Sequence, residues 1–473
     1  MRIPLPLLAV ALASCIPACG SSSSPPTPAD PELPGPAEWN RDVVEPSDAE
    51  AKTARESCAY RAGALPAETQ GESHPVGAEI PIDHIVIAMM ENRSFDHYLQ
   101  KIGDVGIDAD VAPDGFTNLD PEGNPIAPFP LEQHCFVDTA HSWSSIKQQI
   151  AGGAMSGFVT SNEGQHELPM NGDLSMLLGK RAMGYYTEAD LPLVYWLAKN
   201  FAIGDRYFAS APTATWPNRM FMQAATSFGL KSNDFPQGVE TTLLDYLNKR
   251  QISWRVYYEN TPTFAMFIER YLELRQEENR FVPMSQFFTD AAEGKLPQVA
   301  FIDPDGTSGG QMDHTDEHPP TPATLGQNWL ANAIAALVAS PHWSRSAMFI
   351  NYDEHGGLYD HVPPPKACAP DDRALDETDR AIFESYGVRV PFFVVSPYAK
   401  KGYVSHDVYD HTSVVRFIEA RFQIPALSHR DANALAPWDV FDFTSAPAKE
   451  LPDVPNVPVD EAIMSECRAL WGE

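Results

Sequence analysis

Positive charge is what this chain has least of. Its 473 residues carry 33 Lys and Arg against 64 Asp and Glu, a formal net charge of −31. A nucleic-acid surface needs a basic stripe to neutralise phosphates, and no segment supplies one, so no nucleic-acid partner is expected. Electrostatic docking on anionic lipid is disfavoured for the same reason. Long apolar runs are missing too: past residue 24 no stretch approaches the ~20 residues of a membrane-spanning helix. No segment repeats at a fixed period, and nothing implies a protein partner. Cysteine is sparse, six in all. Proline is not: 43 of them predict long, stiff loops over a compact scaffold. The 43% hydrophobic and 10% aromatic content is that of an ordinary globular protein.

Residues 1–24 have the pattern of a targeting segment, with Arg2 ahead of an apolar run from Ile3 to Ala13 that is too short to span a bilayer. Leu12-Ala13-Ser14-Cys15 resembles a bacterial lipobox, and Cys19 with the serines behind it is a competing site. Either predicts export, as a cell-envelope lipoprotein touching the membrane through its lipid or as a secreted protein. Residues 25–78 read as a Pro/Ser-rich linker and N-terminal extension, the stretch up to residue 56 being too poor in apolar periodicity to fold. Residues 79–473 read as a single catalytic domain. Without Cys15 and Cys19, four cysteines are left: Cys58, Cys135, Cys368 and Cys467. An even count in an exported chain suggests two disulfides, with three possible connectivities.

Short apolar runs alternate with helical patterns from residue 80 onward. Ile82–Met90, Gln298–Ile302, Ala347–Tyr352 and Val390–Val395 read as buried strands, and 191–201, 328–339 and 412–422 as helices. Such alternation predicts an α/β fold, a mixed, mostly parallel sheet flanked by helices. Three of the strands run straight into carboxylates: Glu91-Asn92, Asp303-Pro304-Asp305 and Asp353-Glu354. Ligands of open α/β sheets bind beyond the carboxyl ends of the strands, so these oxygens would gather at one edge, where a divalent cation fits.

Four segments carry chemistry. Glu91 and Asn92 offer oxygen ligands, or else Asn92 or Ser94 caps a helix with Glu91 on its dipole. Asp353-Glu354-His355-Gly356-Gly357 places paired glycines where a backbone bends around an ion, with Asp360 and His361 one short loop later. Thr215-Trp216-Pro217-Asn218-Arg219 offers a hydroxyl nucleophile, followed by donors suited to phosphate oxygens, Asn218 and Arg219; its alternative is a turn leading into a helix. Asp313-His314-Thr315-Asp316-Glu317-His318 is an acidic loop or a ligand cluster. Asp410-His411, ahead of an amphipathic helix, reads as a cap.

Taken together, E-N-R-S-F-D-H at 91–97, T-W-P-N-R at 215–219, D-E-H-G-G-L-Y-D-H-V at 353–362 and G-V-R-V-P-F-F-V-V-S-P at 387–397 resemble the bacterial phosphoesterase family of phospholipases C and acid phosphatases. The resemblance spans about residues 80–425. It implies an alkaline-phosphatase-like sandwich with a metal at one sheet edge. It also implies ligation by Glu91, Asn92, Asp353, Glu354 and Thr215, with Thr215 doubling as nucleophile. His141, His318 and His361 would contact the phosphoryl group, with Asn92 assisting, and His314 is an alternative to His318. A divalent ion, Ca²⁺, Zn²⁺ or Mn²⁺, is expected as cofactor, and a phospholipid or small phosphate ester as substrate. The expected reaction is phospholipase C-like, through a phosphothreonine; the alternative is an acid phosphatase acting on monoesters. A twin-arginine leader is absent, and only about 50 residues follow the helix at 412–422, too few for the extra β-domains of the large phospholipases C. The nucleophile region also lacks the Cys-x-Pro-x-Arg or Ser-x-Pro-x-Arg pattern of a sulfatase.

Overall fold

Every strand expected from the apolar runs is found, and four more join them. The computed structural model describes residues 33–164, 166–306, 312–371, 381–448 and 453–473; Cys15, Cys19 and the targeting segment lie outside these. Eight strands form one sheet: β1 (His84–Met90), β2 (Ala202–Gly204), β3 (Trp254–Tyr258), β4 (Phe281–Pro283), β5 (Val299–Asp303), β6 (Ser346–Tyr352), β7 (Phe392–Val395) and β8 (Tyr403–Ser405). Their order across the sheet is β8-β2-β7-β6-β1-β5-β3-β4. Strand β7 runs antiparallel to β6 and β2, and the other pairings are parallel. The sheet is thus mixed, mostly parallel and flanked by helices, as the alternation predicts.

The central strands are mostly apolar because both faces are covered; β6 is buried at all seven positions. Register then decides what lies beyond them. Met90 of β1 pairs with Tyr352 of β6, so the next residues, Glu91 and Asp353, leave the sheet side by side. On the other flank Ala88 pairs with Ile302, which brings Asp303 to the same edge.

The helices used below are α1 (Asp48–Glu56), α2 (Phe95–Leu99), α3 (Trp143–Ile150), α4 (Pro192–Asn200), α5 (Thr215–Ala224), α6 (Thr324–Ala339), α7 (His411–Phe422) and α8 (Glu461–Trp471). Helices α4, α6 and α7 are the three that helical spacing predicts. Asp410 precedes α7 as a cap, its N–H donating to Ser413 Oγ at 3.1 Å.

The linker expectation is corrected from residue 34 onward, where a compact unit begins. Trp39 is buried, with the Arg250 guanidinium 5.2 Å from its ring. Helix α1 lies inside the stretch read as unfolded: Ser47 and Glu50 form a capping box, and Ala51 is fully buried. Its composition is polar, so what holds it is tertiary. Cys58, just past α1, is bonded to Cys368, and Cys135 is bonded to Cys467. These are one of the three connectivities that four cysteines allow. None of the helices among the described residues is long and apolar enough to cross a membrane.

Candidate functional site

Thr215 is the first residue of α5, and its Oγ1 donates to Glu91 Oε1 at 3.3 Å. One turn on, Arg219 reaches back between two carboxylates: Nη2 donates to Glu91 Oε2 at 3.0 Å and Nε to Asp353 Oδ2 at 2.9 Å. Asp353 Oδ1 also accepts the N–H groups of Asn92 (3.2 Å) and Glu354 (2.7 Å). Burial pushes the Asp353 carboxyl up, with Glu91 and Glu354 adding to it and Arg219 opposing. Burial alone would raise Glu91 as well, but Arg219 and His318 outweigh it and hold it below the ordinary range. Asp316 takes the opposite course, driven up by burial and by the Glu91 carboxylate to which it is hydrogen-bonded. Asp303 is pushed up to about 6 by burial.

Arg219 is therefore the counter-ion of the cluster, not a hand held out to substrate. Replacing Arg219 with Met is expected to destabilise the chelator-treated protein by ~3 kcal/mol, because two carboxylates lose their buried partner. Urea unfolding in EDTA measures this, and an unchanged midpoint would refute the role.

Asn218 is corrected outright. Its side chain is fully buried and bonds the backbone of the loop before α5, to Ala211 N (3.0 Å) and to the Thr213 (3.0 Å) and Ala214 (3.2 Å) carbonyls. It shapes the loop before α5 and has no atom left for phosphate.

Asn92 and Glu354 behave in the opposite way. Asn92 adopts a left-handed backbone (φ 60°), and its Oδ1 and Nδ2 are buried without a hydrogen-bond partner among the described residues; so is Glu354 Oε1. Orphaned oxygens beside three carboxylates are what a hard cation would satisfy. Glu354 Oε2 is held by the Gly356 N–H at 2.8 Å and lies 3.3 Å from His355 Nδ1. Both glycines of this turn have positive φ (62° and 75°), and a β-carbon would strike Asn92 at Gly356 and the Ala140 carbonyl at Gly357. The paired glycines let this turn pass close against Asn92 and against Ala140, next to His141.

His141 and His318 do meet, their ring centroids 5.6 Å apart. Asp138, which the sequence reading missed as a site residue, lies between them, 3.8 Å from His141 Nδ1 and 4.0 Å from His318 Nε2. Burial is the largest single influence and pulls both histidines down, but Asp138 together with other acceptors, Glu354 at His141 and Glu91 and Glu354 at His318, outweighs it and holds both above their ordinary value. His166 closes on the same carboxylate at 3.9 Å. The ligand atoms of Asp138, His141 and His318 are near enough together to hold a metal ion, as are those of Asp96, Asp360 and His361. In the second group Arg389 already supplies the cation, bonded to Asp96 at 2.8 Å and Asp360 at 3.1 Å.

That second group corrects His361. Its Nδ1 contacts Asp96 at 2.7 Å and its Nε2 contacts Asp110 at 3.2 Å, so both ring nitrogens are engaged and neither is available to a phosphoryl group. Glu317 is likewise structural: fully buried, it accepts from Tyr98 (2.6 Å) and Tyr352 (2.7 Å).

Helix α8 ties down both histidine loops. Besides the Cys135–Cys467 bond, Trp471 Nε1 donates to the Cys135 carbonyl at 3.3 Å, and Arg468 pairs with Asp313 at 3.0 Å. Cys135, Met312, Met464 and Cys467 form one small apolar cluster. Cys135 lies six residues before His141 and Met312 six before His318.

The model of the family described as the Phosphoesterase family matches residues 82–425, which contain every group of the site described above except those carried by α8. The chain belongs to the phosphoesterase family. This phosphoesterase is 33% identical over 424 residues to non-specific phospholipase C6 of Arabidopsis thaliana, covering 82% of this chain and 78% of that protein. It is 28% identical over 452 residues to phospholipase C B of Mycobacterium tuberculosis, covering 83% and 84%. Among solved structures, a protein in the alkaline phosphatase superfamily from Vibrio parahaemolyticus is similar at 8% identity and a TM-score of 0.35, over 84% of this chain and 76% of that one. As a member of its family the phosphoesterase is a phosphoric ester hydrolase.

Proposed function

We propose that this phosphoesterase is a metal-dependent, phospholipase C-like hydrolase that cleaves a phosphodiester through a phosphothreonine at Thr215. One observation carries the reading: the Thr215 hydroxyl stands at a helix N-terminus against Glu91, in a cluster where Asn92 Oδ1 and Glu354 Oε1 are buried and unsatisfied. Glu91, Asn92, Asp353, Glu354 and Thr215 would hold a divalent cation, with Ca²⁺, Mn²⁺ and Zn²⁺ all compatible with oxygen ligation. Such an ion supplies positive charge that lowers the hydroxyl pKa and offsets charge on the phosphoryl oxygens.

Thr215 Oγ1 attacks phosphorus, its proton passing toward Glu91, and the bond to the leaving alcohol breaks in line with the attack. The amide end of α5 favours the negative charge that collects there. His141 and His318, whose proton affinity Asp138 helps raise, face the phosphoryl oxygens, and one of them protonates the departing alkoxide. Water then attacks the phosphothreonine and releases the phosphorylated head group, returning Thr215 to its hydroxyl form.

The diester specificity draws its support from the names of the relatives, both phospholipases C. Two disulfides support an exported enzyme in an oxidising compartment, attached through Cys15 or Cys19. Protein lacking residues 1–24 should release phosphocholine from phosphatidylcholine vesicles, and EDTA should abolish the release. Chelator-sensitive cleavage of p-nitrophenyl phosphate alone would instead identify a monoesterase. Activity that EDTA leaves intact would remove the metal from the scheme.

A further inference from the structure

We propose that the rim of this site is a docking surface for a zwitterionic phospholipid bilayer, so that the ester is taken from packed lipid; this rests on the phospholipase C-like reading. Trp216 follows Thr215 directly, and its ring lies 5.1 Å from that of Phe235, which is 47% exposed. Across the site, Trp143 stands two residues after His141, with Lys147 and Lys231 each 5.4 Å from its ring centroid. One short segment joins the two walls: Lys231 reaches Trp143, Asn233 Oδ1 accepts the Trp216 N–H at 2.8 Å, and Phe235 covers Trp216. Tryptophan with an exposed aromatic neighbour and a flanking lysine is the composition that settles at the level of lipid head groups.

A second loop repeats the feature. It leaves the site at His166, beside Asp138, and is closed at its base by Gly164 N–H to the Leu177 carbonyl at 3.1 Å. Met170 and Leu174, each 76% exposed, project from the part between. Large apolar side chains this exposed on loops bordering a catalytic site mark a surface that is covered in use.

Charge selects the partner. A net charge of −31 opposes approach to an anionic surface, whereas a zwitterionic surface is neutral overall and offers phosphates to the lysines at Trp143. A free soluble ester would need neither loop.

The test uses protein lacking residues 1–24 and carrying Thr215→Ala, so that neither the targeting segment nor lipid turnover contributes, and measures co-flotation with phosphatidylcholine vesicles and with phosphatidylglycerol vesicles. The parent is expected to bind the former and avoid the latter. Phe235→Ser, and separately Met170→Ser with Leu174→Ser, should each lower the bound-to-free ratio about tenfold. In protein that retains Thr215, the same substitutions should leave hydrolysis of soluble p-nitrophenylphosphorylcholine unchanged. Binding that survives both sets of substitutions would overturn the proposal. So would a parallel loss of soluble turnover, which signals damage to the site, or a dimer that the substitutions dissociate without changing flotation. Flotation of the Thr215→Ala parent together with no hydrolysis of p-nitrophenylphosphorylcholine by protein that retains Thr215 would support the surface while overturning the diester chemistry.

Discussion

Replacing Thr215 with Ala is expected to lower phosphate-ester turnover at least about 10³-fold, since a nucleophile removed from a covalent mechanism leaves only positioning and electrostatics behind. Stability should barely move. The hydroxyl makes one hydrogen bond, at 3.3 Å to Glu91, and such a bond contributes about 1 kcal/mol. Thr215→Ser keeps the oxygen and should keep most of the rate. Rapid acid quench of the wild type with substrate, followed by peptide mass analysis, should find one added phosphoryl group on the peptide holding Thr215. Near-normal turnover in the alanine variant, or a phosphoryl group elsewhere, would end the assignment.

The second large effect concerns α8. Replacing Cys135 and Cys467 together with Ser is expected to lower stability by about 2–4 kcal/mol, because the link closes a loop across a sequence separation of 332. It should also lower kcat by about tenfold or more. The histidine loops meet α8 at Cys135 and Met312, and displacement of a catalytic group by an ångström is enough for a loss of that size. Replacing Cys58 and Cys368 is the control. That bond ties α1 to the loop after His361, and its loss should cost stability without a comparable fall in kcat. Urea midpoints and kcat for both double variants decide the matter, and equal kcat losses in the two would refute a specific role for α8.

What could be read from the sequence follows from where the information is local. The central strands announce themselves as unbroken apolar runs because both faces are buried, and the carboxylates that end them follow from register alone. The outer strands were not legible: Ala202–Gly204, Phe281–Pro283 and Tyr403–Ser405 are too short to show a period, and Trp254–Tyr258 mixes Arg255 into an aromatic run. Among site residues, Glu91, Asn92, Thr215, Asp353 and Glu354 come together as the motifs implied. His361 and Asn218 sit in the same motifs yet serve the scaffold, and only their long-range partners, Asp96 and Asp110 for the one and the Ala211–Ala214 backbone for the other, reveal it. Asp138 carried no signal because its meaning depends on His318, 180 positions away. Asp316 was visible only as one acid in a dense polar run, and folding against Glu91 is what singles it out. Helix α1 misled for a related reason: a polar helix held by a cap and a distant disulfide has little apolar periodicity to show.

The two disulfides also interlace. In order of synthesis the described cysteines are 58, 135, 368 and 467, and the first is joined to the third, the second to the fourth. The first two of these four thiols to coexist on a growing chain are therefore not partners. An oxidant that joined cysteines as they emerged would make a Cys58–Cys135 link, which thiol exchange would then have to undo. The finished connectivity is reached directly only if oxidation waits until Cys368 has been made and the sheet has brought distant loops together, so refolding of the reduced protein should gain from a reagent that reshuffles disulfides more than from one that merely forms them.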